Sequence, residues 1–253
     1  MALPSTEGMP LRTAPPSPQE TLEYFSGRKI VLPECRVLLG DLISETPRPE
    51  IYETWGVFEG FIESATGFDH TPSGNIVKMR FQTRPIPASV TDSNGRYKGF
   101  YDECQALEAC QESGATPDLL SQGILTQEAS DICPGGYIAV IVMSRARGIC
   151  VRDVVSNGMD SCHWEICNSG LREFTEYIRT RGLHIRTRGL LPSGLDLDHV
   201  FYDEGHRRVY VVGLSRFQVV PPTPQPSPPG DGAVVGSGVE QLSSLADAVR
   251  LDH

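Results

Sequence analysis

Lysine is scarce in this sequence: the chain has three lysines against nineteen arginines, and its formal net charge is −10. This deficit of positive charge argues against nucleic acid as a partner, because binding to a phosphate backbone needs clustered cations. Long apolar runs are lacking too, so no segment predicts a membrane-spanning helix or the apolar core of a signal peptide. We therefore expect a cytoplasmic protein without a membrane or nucleic-acid partner.

The cysteines lack the pattern of a disulfide framework, because they are seven in number and irregularly spaced. This predicts reduced thiols of an intracellular protein. Cys162, His163 and Cys167 lie close together in the sequence, but two or three ligands without a second cysteine pair are a weak signal for zinc. We expect no metal at this cluster.

Composition divides the chain into a central domain and two ends. Residues 1–27 combine a disordered Pro-, Ser- and Thr-rich segment with a short helix that Ser17 would cap. Residues 219–253 combine a linker, in which six of the ten residues 221–230 are proline, with a short C-terminal helix. The central domain is therefore expected at residues 28–218.

A β-hairpin is predicted within Gly194–Phe217. Val200–Tyr202 and Val209–Val212 are β-branched and aromatic runs, and the polar turn Asp203–His206 separates them. A hairpin of this size is not stable alone, so it must pack on a larger body.

Lys78 lies inside an apolar strand, Asn75–Phe81. Strand alternation puts Lys78 and Arg80 on one face and the apolar side chains on the other. The simplest alternative is an edge strand on which Lys78 is solvated.

Glu103 lies on the helix predicted for Gly99–Cys110, in which apolar residues recur at helical spacing. Glu103 could equally be one of several solvated acids on this helix. Further on, Tyr137–Met143 is typical of a buried strand, and residues 149–190 have helical character. They end in a seven-residue repeat that predicts either an extended basic helix face or an interrupted helix.

Taken in order, these segments resemble the protein kinase-like superfamily. A kinase pairs a strand lysine, which contacts the nucleotide phosphates, with a helix glutamate. The resemblance implies these roles for Lys78 and Glu103, and it places Met143 where the last small-lobe strand meets the hinge. The run from Pro134 to Gly148 is similar to fungal kinase-like proteins. The implied fold is α+β, with a β-rich small lobe at about 28–143 and a truncated, mainly helical large lobe at about 144–218.

The catalytic carboxylates of the family are missing in this register. If His199 stands at the asparagine of the catalytic loop, Gly194 stands at the catalytic aspartate and Gly213 at the metal-binding aspartate. No Gly-x-Gly-x-x-Gly precedes Lys78, so a backbone cradle for phosphates is not evident.

Three functions are compatible with these features. The first is a non-catalytic binding or regulatory module with a protein partner and a vestigial nucleotide site at Lys78, Glu103 and Met143. ATP is then possible, whereas Mg²⁺ and a catalytic residue are not expected. The second is a weakly active phosphotransferase that uses Asp196 after a two-residue shift. The third is a structural protein of unrelated α+β fold.

Overall fold

The computed structural model describes residues 21–64, 67–68, 74–86, 97–158, 161–181, 183–185, 197–214 and 217–219. The predicted N-terminal disorder, the C-terminal linker and its helix, and the positions Gly194 and Asp196 lie outside these ranges.

An antiparallel sheet dominates the described part of the chain, and its strands follow the spatial order β1-β2-β3-β5-β7-β6, with β4 beside β3. Two register irregularities near Leu42 interrupt the pairing of β2 with β3, and such bulges bend a strand and increase the twist of its sheet. The strands are β1 (Lys29–Val31), β2 (Arg36–Arg48), β3 (Glu53–Ser64), β4 (Gly67–Phe68), β5 (Asn75–Gln82), β6 (Leu119–Thr126) and β7 (Tyr137–Ser144).

Strand β5 lies in the middle of this sheet, between β3 and β7. Lys78 is directly opposite Ile141 of β7, so the two strands predicted at Asn75–Phe81 and Tyr137–Met143 lie in one sheet. The edge-strand alternative for Lys78 is wrong. Because side chains alternate along a strand, one face of β5 is apolar and the other carries Lys78 and Arg80.

The apolar face of the sheet packs on the N-terminal segment. Val77, Met79 and Phe81 are fully buried there with Leu22 and Phe25. The last two belong to a 3₁₀ helix, Leu22–Phe25, whose N-cap is Thr21. The predicted cap, Ser17, lies outside the described residues.

Helix α1 (Lys98–Cys110) covers the other face of the sheet, as predicted to within one residue. Its buried residues Phe100, Cys104 and Leu107 form a core with Ile141. Helices α2 (Val151–Ser156) and α3 (Ser161–Thr180) follow the sheet.

The seven-residue repeat does not extend α3 as one basic face. The helix ends at Thr180, and β9 (Leu183–Ile185) follows and pairs with β12 (Phe217–Val219). The extended-face interpretation is therefore wrong, and most of the second copy of the repeat lies outside the described residues. Arg179 pairs with the exposed Glu176 at 2.6 Å, as a solvated ion pair on the helix surface.

The predicted hairpin is present as β10 (Val200–Asp203) and β11 (Arg208–Val211), and β8 (Ile149–Cys150) pairs with β10. The described residues beyond Met143 thus combine helices with short strands. The expected α+β class is confirmed. No helix in the described ranges has the length and apolar character needed to cross a membrane.

Candidate functional site

Lys78 and Glu103 meet on the α1 side of the sheet. The ammonium nitrogen Nζ of Lys78 donates to Oε1 of Glu103 at 2.7 Å and to Oε2 at 2.9 Å. The side chains are 12% and 1% exposed, respectively. Their expected approach is confirmed, and the alternative that Glu103 is a solvated acid is wrong.

Arg80 shares the same carboxylate. Its Nη2 donates to Oε2 of Glu103 at 2.6 Å and to the backbone carbonyl of Gly99, in the first turn of α1, at 3.0 Å. Burial by itself would raise the pKa of Glu103, but the positive charges of Lys78 and Arg80 hold the pKa below its ordinary value. Glu103 is therefore a buried anion held by two cations of one strand.

Trp55 of β3 covers these cations. It lies opposite Arg80 in the sheet, and its ring centroid is 4.5 Å from Cζ of Arg80, 5.3 Å from Nζ of Lys78 and 5.0 Å from Cζ of Arg48. These distances fit cation–π contacts. The indole N–H donates to Glu53, which also accepts from the hydroxyl of Tyr137. No motif in the sequence indicated Trp55, because its position depends on the register between β3 and β5.

The turn that joins β2 to β3 is not a glycine loop. It is a 3₁₀ helix, Pro49–Ile51, followed by Tyr52 in the left-handed conformation at φ 58°. Pro49 has no backbone N–H, and Glu50 adds a negative charge. This turn is a poor cradle for phosphate groups.

Met143 lies at the end of β7 and is 7% exposed. It belongs to the core that also contains Val211 of the hairpin and the neighbouring Leu214. The structure thus places Met143 at the junction of the large sheet and the hairpin.

Gly213 packs directly against His199. Its φ is +70°, and a Cβ added there would lie 2.4 Å from Cδ2 of His199. The next backbone contact is also close, because the N–H of Val212 donates to the carbonyl of His199 at 2.8 Å. A side chain at position 213 would therefore require both a strained backbone and movement of the histidine.

Asp198, His163 and Cys167 each have other contacts in the structure. Asp198 accepts from Nε of Arg152 at 2.5 Å. His163 contacts Glu204 at 3.2 Å, whereas Cys167 is buried in a core with Val200. Within the described ranges, no three His, Cys, Asp or Glu side chains are grouped so that they could hold a metal ion.

Comparison with known proteins gives a distant structural match. No family model matches the chain, and no curated protein matches it. Among 713 matching chains of solved structures, one is described as a high-resolution (2.2 Å) crystal structure of WbdD. The two chains share 14% sequence identity with a TM-score of 0.43, and the match covers 78% of this chain and 36% of the WbdD chain. The matched region thus spans little more than a third of that longer chain.

Proposed function

We propose that this chain is a degenerate protein kinase-like domain that acts as a non-catalytic binding or regulatory module for a protein partner. The observation that carries the proposal is the ion pair between Lys78, on a central strand, and Glu103, on the helix that follows that strand. An ion pair between a strand lysine and a helix glutamate is a working part of protein kinases. In this proposal residues 28–143 form the small lobe and residues 144–218 a truncated large lobe.

The geometry at Gly213 supports the absence of catalysis. Phosphoryl transfer needs a carboxylate that holds Mg²⁺ against the phosphates. Gly213 stands at the metal-binding position and supplies no ligand. His199 occupies the space where a Cβ of residue 213 would lie. An aspartate would therefore not fit at this position unless His199 moved.

The surroundings of Lys78 support a vestigial nucleotide site. In a working kinase this lysine binds the nucleotide phosphates. Here the ring of Trp55 lies beside the ammonium group, and the β2–β3 turn offers Pro49 and Glu50 instead of a row of glycine N–H groups. We propose that ATP binds weakly or not at all, and that Mg²⁺ does not strengthen its binding.

A nucleotide titration of the full chain tests this proposal. Trp164→Phe leaves Trp55 as the sole tryptophan, because the sequence has two, and its indole ring lies beside Lys78. We expect the Trp55 emission and the melting temperature to respond equally to ATP with and without Mg²⁺. Trp55→Phe is the matched variant that reports any effect at Trp164.

Phosphotransfer assays address the competing function, a weakly active enzyme that uses Asp196. Turnover that requires Mg²⁺ and disappears in Asp196→Ala, but persists in Asp153→Ala on the exposed side of α2, would replace the proposed function with this one. Absence of turnover in the unmodified chain is the expected result.

A further inference from the structure

A cavity of about 770 Å³ lies where the segment after β7, the loop after α1 and the hairpin meet. Lys78, Glu103 and Met143 do not line this cavity, although its lining includes Ser144, the residue after Met143. The lining includes Gly114, Asp118, Arg145, Arg147, Arg208 and Tyr210. His206 also lines the cavity, and its Nδ1 is 2.7 Å from Oδ2 of Asp203.

Hydrogen bonds join the three segments that form the walls of the cavity. The N–H of Val211 in the hairpin donates to the carbonyl of Ala115 in the loop after α1 at 2.7 Å. Asp118 and Ser144 exchange two hydrogen bonds, from the N–H of Asp118 to the Ser144 hydroxyl at 2.8 Å and from the N–H of Ser144 to the Asp118 carbonyl at 2.9 Å. The walls therefore hold their positions before any ligand binds.

The cavity is cationic although the chain as a whole is acidic. Three arginines line it against one carboxylate, that of Asp118. Arg145 is partly neutralised, because its Nη1 is 2.9 Å from Oε1 of Glu59. Among the described residues no carboxylate pairs with Arg147 or Arg208. A guanidinium group with unused donors is suited to bind an oxyanion through two parallel hydrogen bonds.

Arg208 lies beside Gly114. Its Nη1 lies 3.7 Å from the place where a Cβ of Gly114 would be, and φ of Gly114 is +64°. The guanidinium group thus lies over the backbone of the loop after α1, at the edge of the cavity. The aromatic ring of Tyr210 adds an apolar surface beside it.

We propose that this cavity binds a phosphate monoester, carried by a small organic molecule or by a phosphorylated peptide, and that Arg147 and Arg208 recognise the phosphate. Its volume falls within the range of about 300 to 1,000 Å³ of small-molecule sites, so it has room for the organic part of an ester beside the phosphate. Asp118 repels ligands with many negative charges and favours one that carries a hydrogen-bond donor near the phosphate. This site is independent of the nucleotide site proposed above.

Calorimetric titration of the full chain tests the proposal with four probes: inorganic phosphate, glycerol 3-phosphate, a glycine–alanine pentapeptide with one phosphoserine, and the same pentapeptide without phosphate. We expect at least one ester to bind and the unphosphorylated peptide not to bind. A preference for the phosphopeptide over glycerol 3-phosphate identifies a peptide source, and the reverse identifies a small molecule. Failure of both esters to bind would overturn the proposal.

Paired arginine variants locate the binding. Arg147→Gln combined with Arg208→Gln should weaken ester binding at least tenfold, and Arg147→Lys should weaken it less because the charge remains. The control is Arg36→Gln, since Arg36 is an exposed arginine of the large sheet that pairs with Glu63. Equal affinity in the double variant and in the control would show that the ester binds elsewhere and would overturn the proposal. All of the substituted side chains are exposed, and circular dichroism checks that each variant is folded.

Discussion

At the scale of single residues, Glu103 is the group whose removal should cost the most. Glu103→Gln leaves the positive charges of Lys78 and Arg80 buried without a counter-charge. We expect the free energy of unfolding, measured in urea, to fall by about 3 to 5 kcal/mol. Adding Lys78→Met to this variant should recover part of the loss, because it removes one of the two uncompensated charges.

Glu108→Gln is the control, since Glu108 lies exposed on the same helix. It should change the free energy of unfolding by less than about 0.5 kcal/mol. Equal effects of the two substitutions would mean that the buried ion pair adds no net stability.

The contribution of Glu103 should also depend on pH. Its pKa lies below the ordinary value of 4.5, so the stabilisation is fully present above pH 4.5 and is lost as the pH falls through the lower pKa of the folded state. The difference in stability between the wild-type protein and Glu103→Gln should therefore narrow below pH 4.5. Urea titrations at a series of pH values measure this difference, and a constant gap would contradict the prediction.

Thr116 has a buried hydroxyl oxygen with no hydrogen-bond partner among the described residues. The residue as a whole is only 4% exposed. Thr116→Val keeps the shape and removes this group, and we expect stabilisation by about 1 kcal/mol. Thr116→Ser keeps the hydroxyl and loses a methyl group, so it should not stabilise. Melting temperatures of the two variants distinguish these effects.

At the scale of elements, Gly148 is the point at which the segment after β7 packs against the hairpin. Its φ is +94°, and a Cβ there would lie 2.0 Å from the carbonyl oxygen of Tyr202. Gly135 has a similar φ of +77° with nothing within 4 Å of the added Cβ. Gly135→Ala should thus cost about 1 to 2 kcal/mol for the left-handed backbone alone.

Gly148→Ala should cost clearly more, about 3 kcal/mol or above, because the hairpin must also move away. The difference between the two alanine variants in urea unfolding isolates the packing of the hairpin on this segment. Equal losses would show that the hairpin adjusts freely.

The elements that the sequence predicted are those with local signals. Alternation identified β5 and put Arg80 on the face of Lys78, and helical spacing identified α1. Neither pattern shows that Arg80 also reaches Glu103, because this depends on how α1 lies across the sheet. The contact of Trp55 with both cations depends likewise on the register of another strand.

The 3₁₀ helix Leu22–Phe25 shows how a distant residue can support the start of a helix. The sequence favoured Ser17 as a cap, but this residue lies outside the described ranges. In the structure, the carboxylate of Glu45 on β2 accepts from the Thr21 hydroxyl at 2.9 Å and from the Leu22 N–H at 3.0 Å. A partner more than twenty residues away thus helps to fix the start of the helix.

At the scale of the whole molecule, the seven cysteines differ in burial. All are free thiols, and Cys162 is exposed. Burial raises the pKa of Cys104 to about 12 and the pKa of Cys110 and of Cys167 to about 11. Because the thiolate is the reactive form, we expect a chromogenic disulfide reagent at pH 8 to modify Cys162 rapidly and the buried thiols only after unfolding. Cys162→Ser should remove the fast phase; a fast phase that survives would place the reactive thiol elsewhere.

The two ion pairs of Glu103 also restrict the motion of α1. Arg80 binds both Glu103 and the Gly99 carbonyl, and Lys78 binds the same carboxylate. If α1 moved away from the sheet, the buried Glu103 carboxylate would therefore lose both of its cationic partners. Even a small displacement of α1 from the sheet should therefore be unfavourable in free energy. Its backbone amides should exchange their hydrogens with solvent by unfolding of the whole domain instead of by local opening. A protein that binds over α1 would therefore meet a rigid surface.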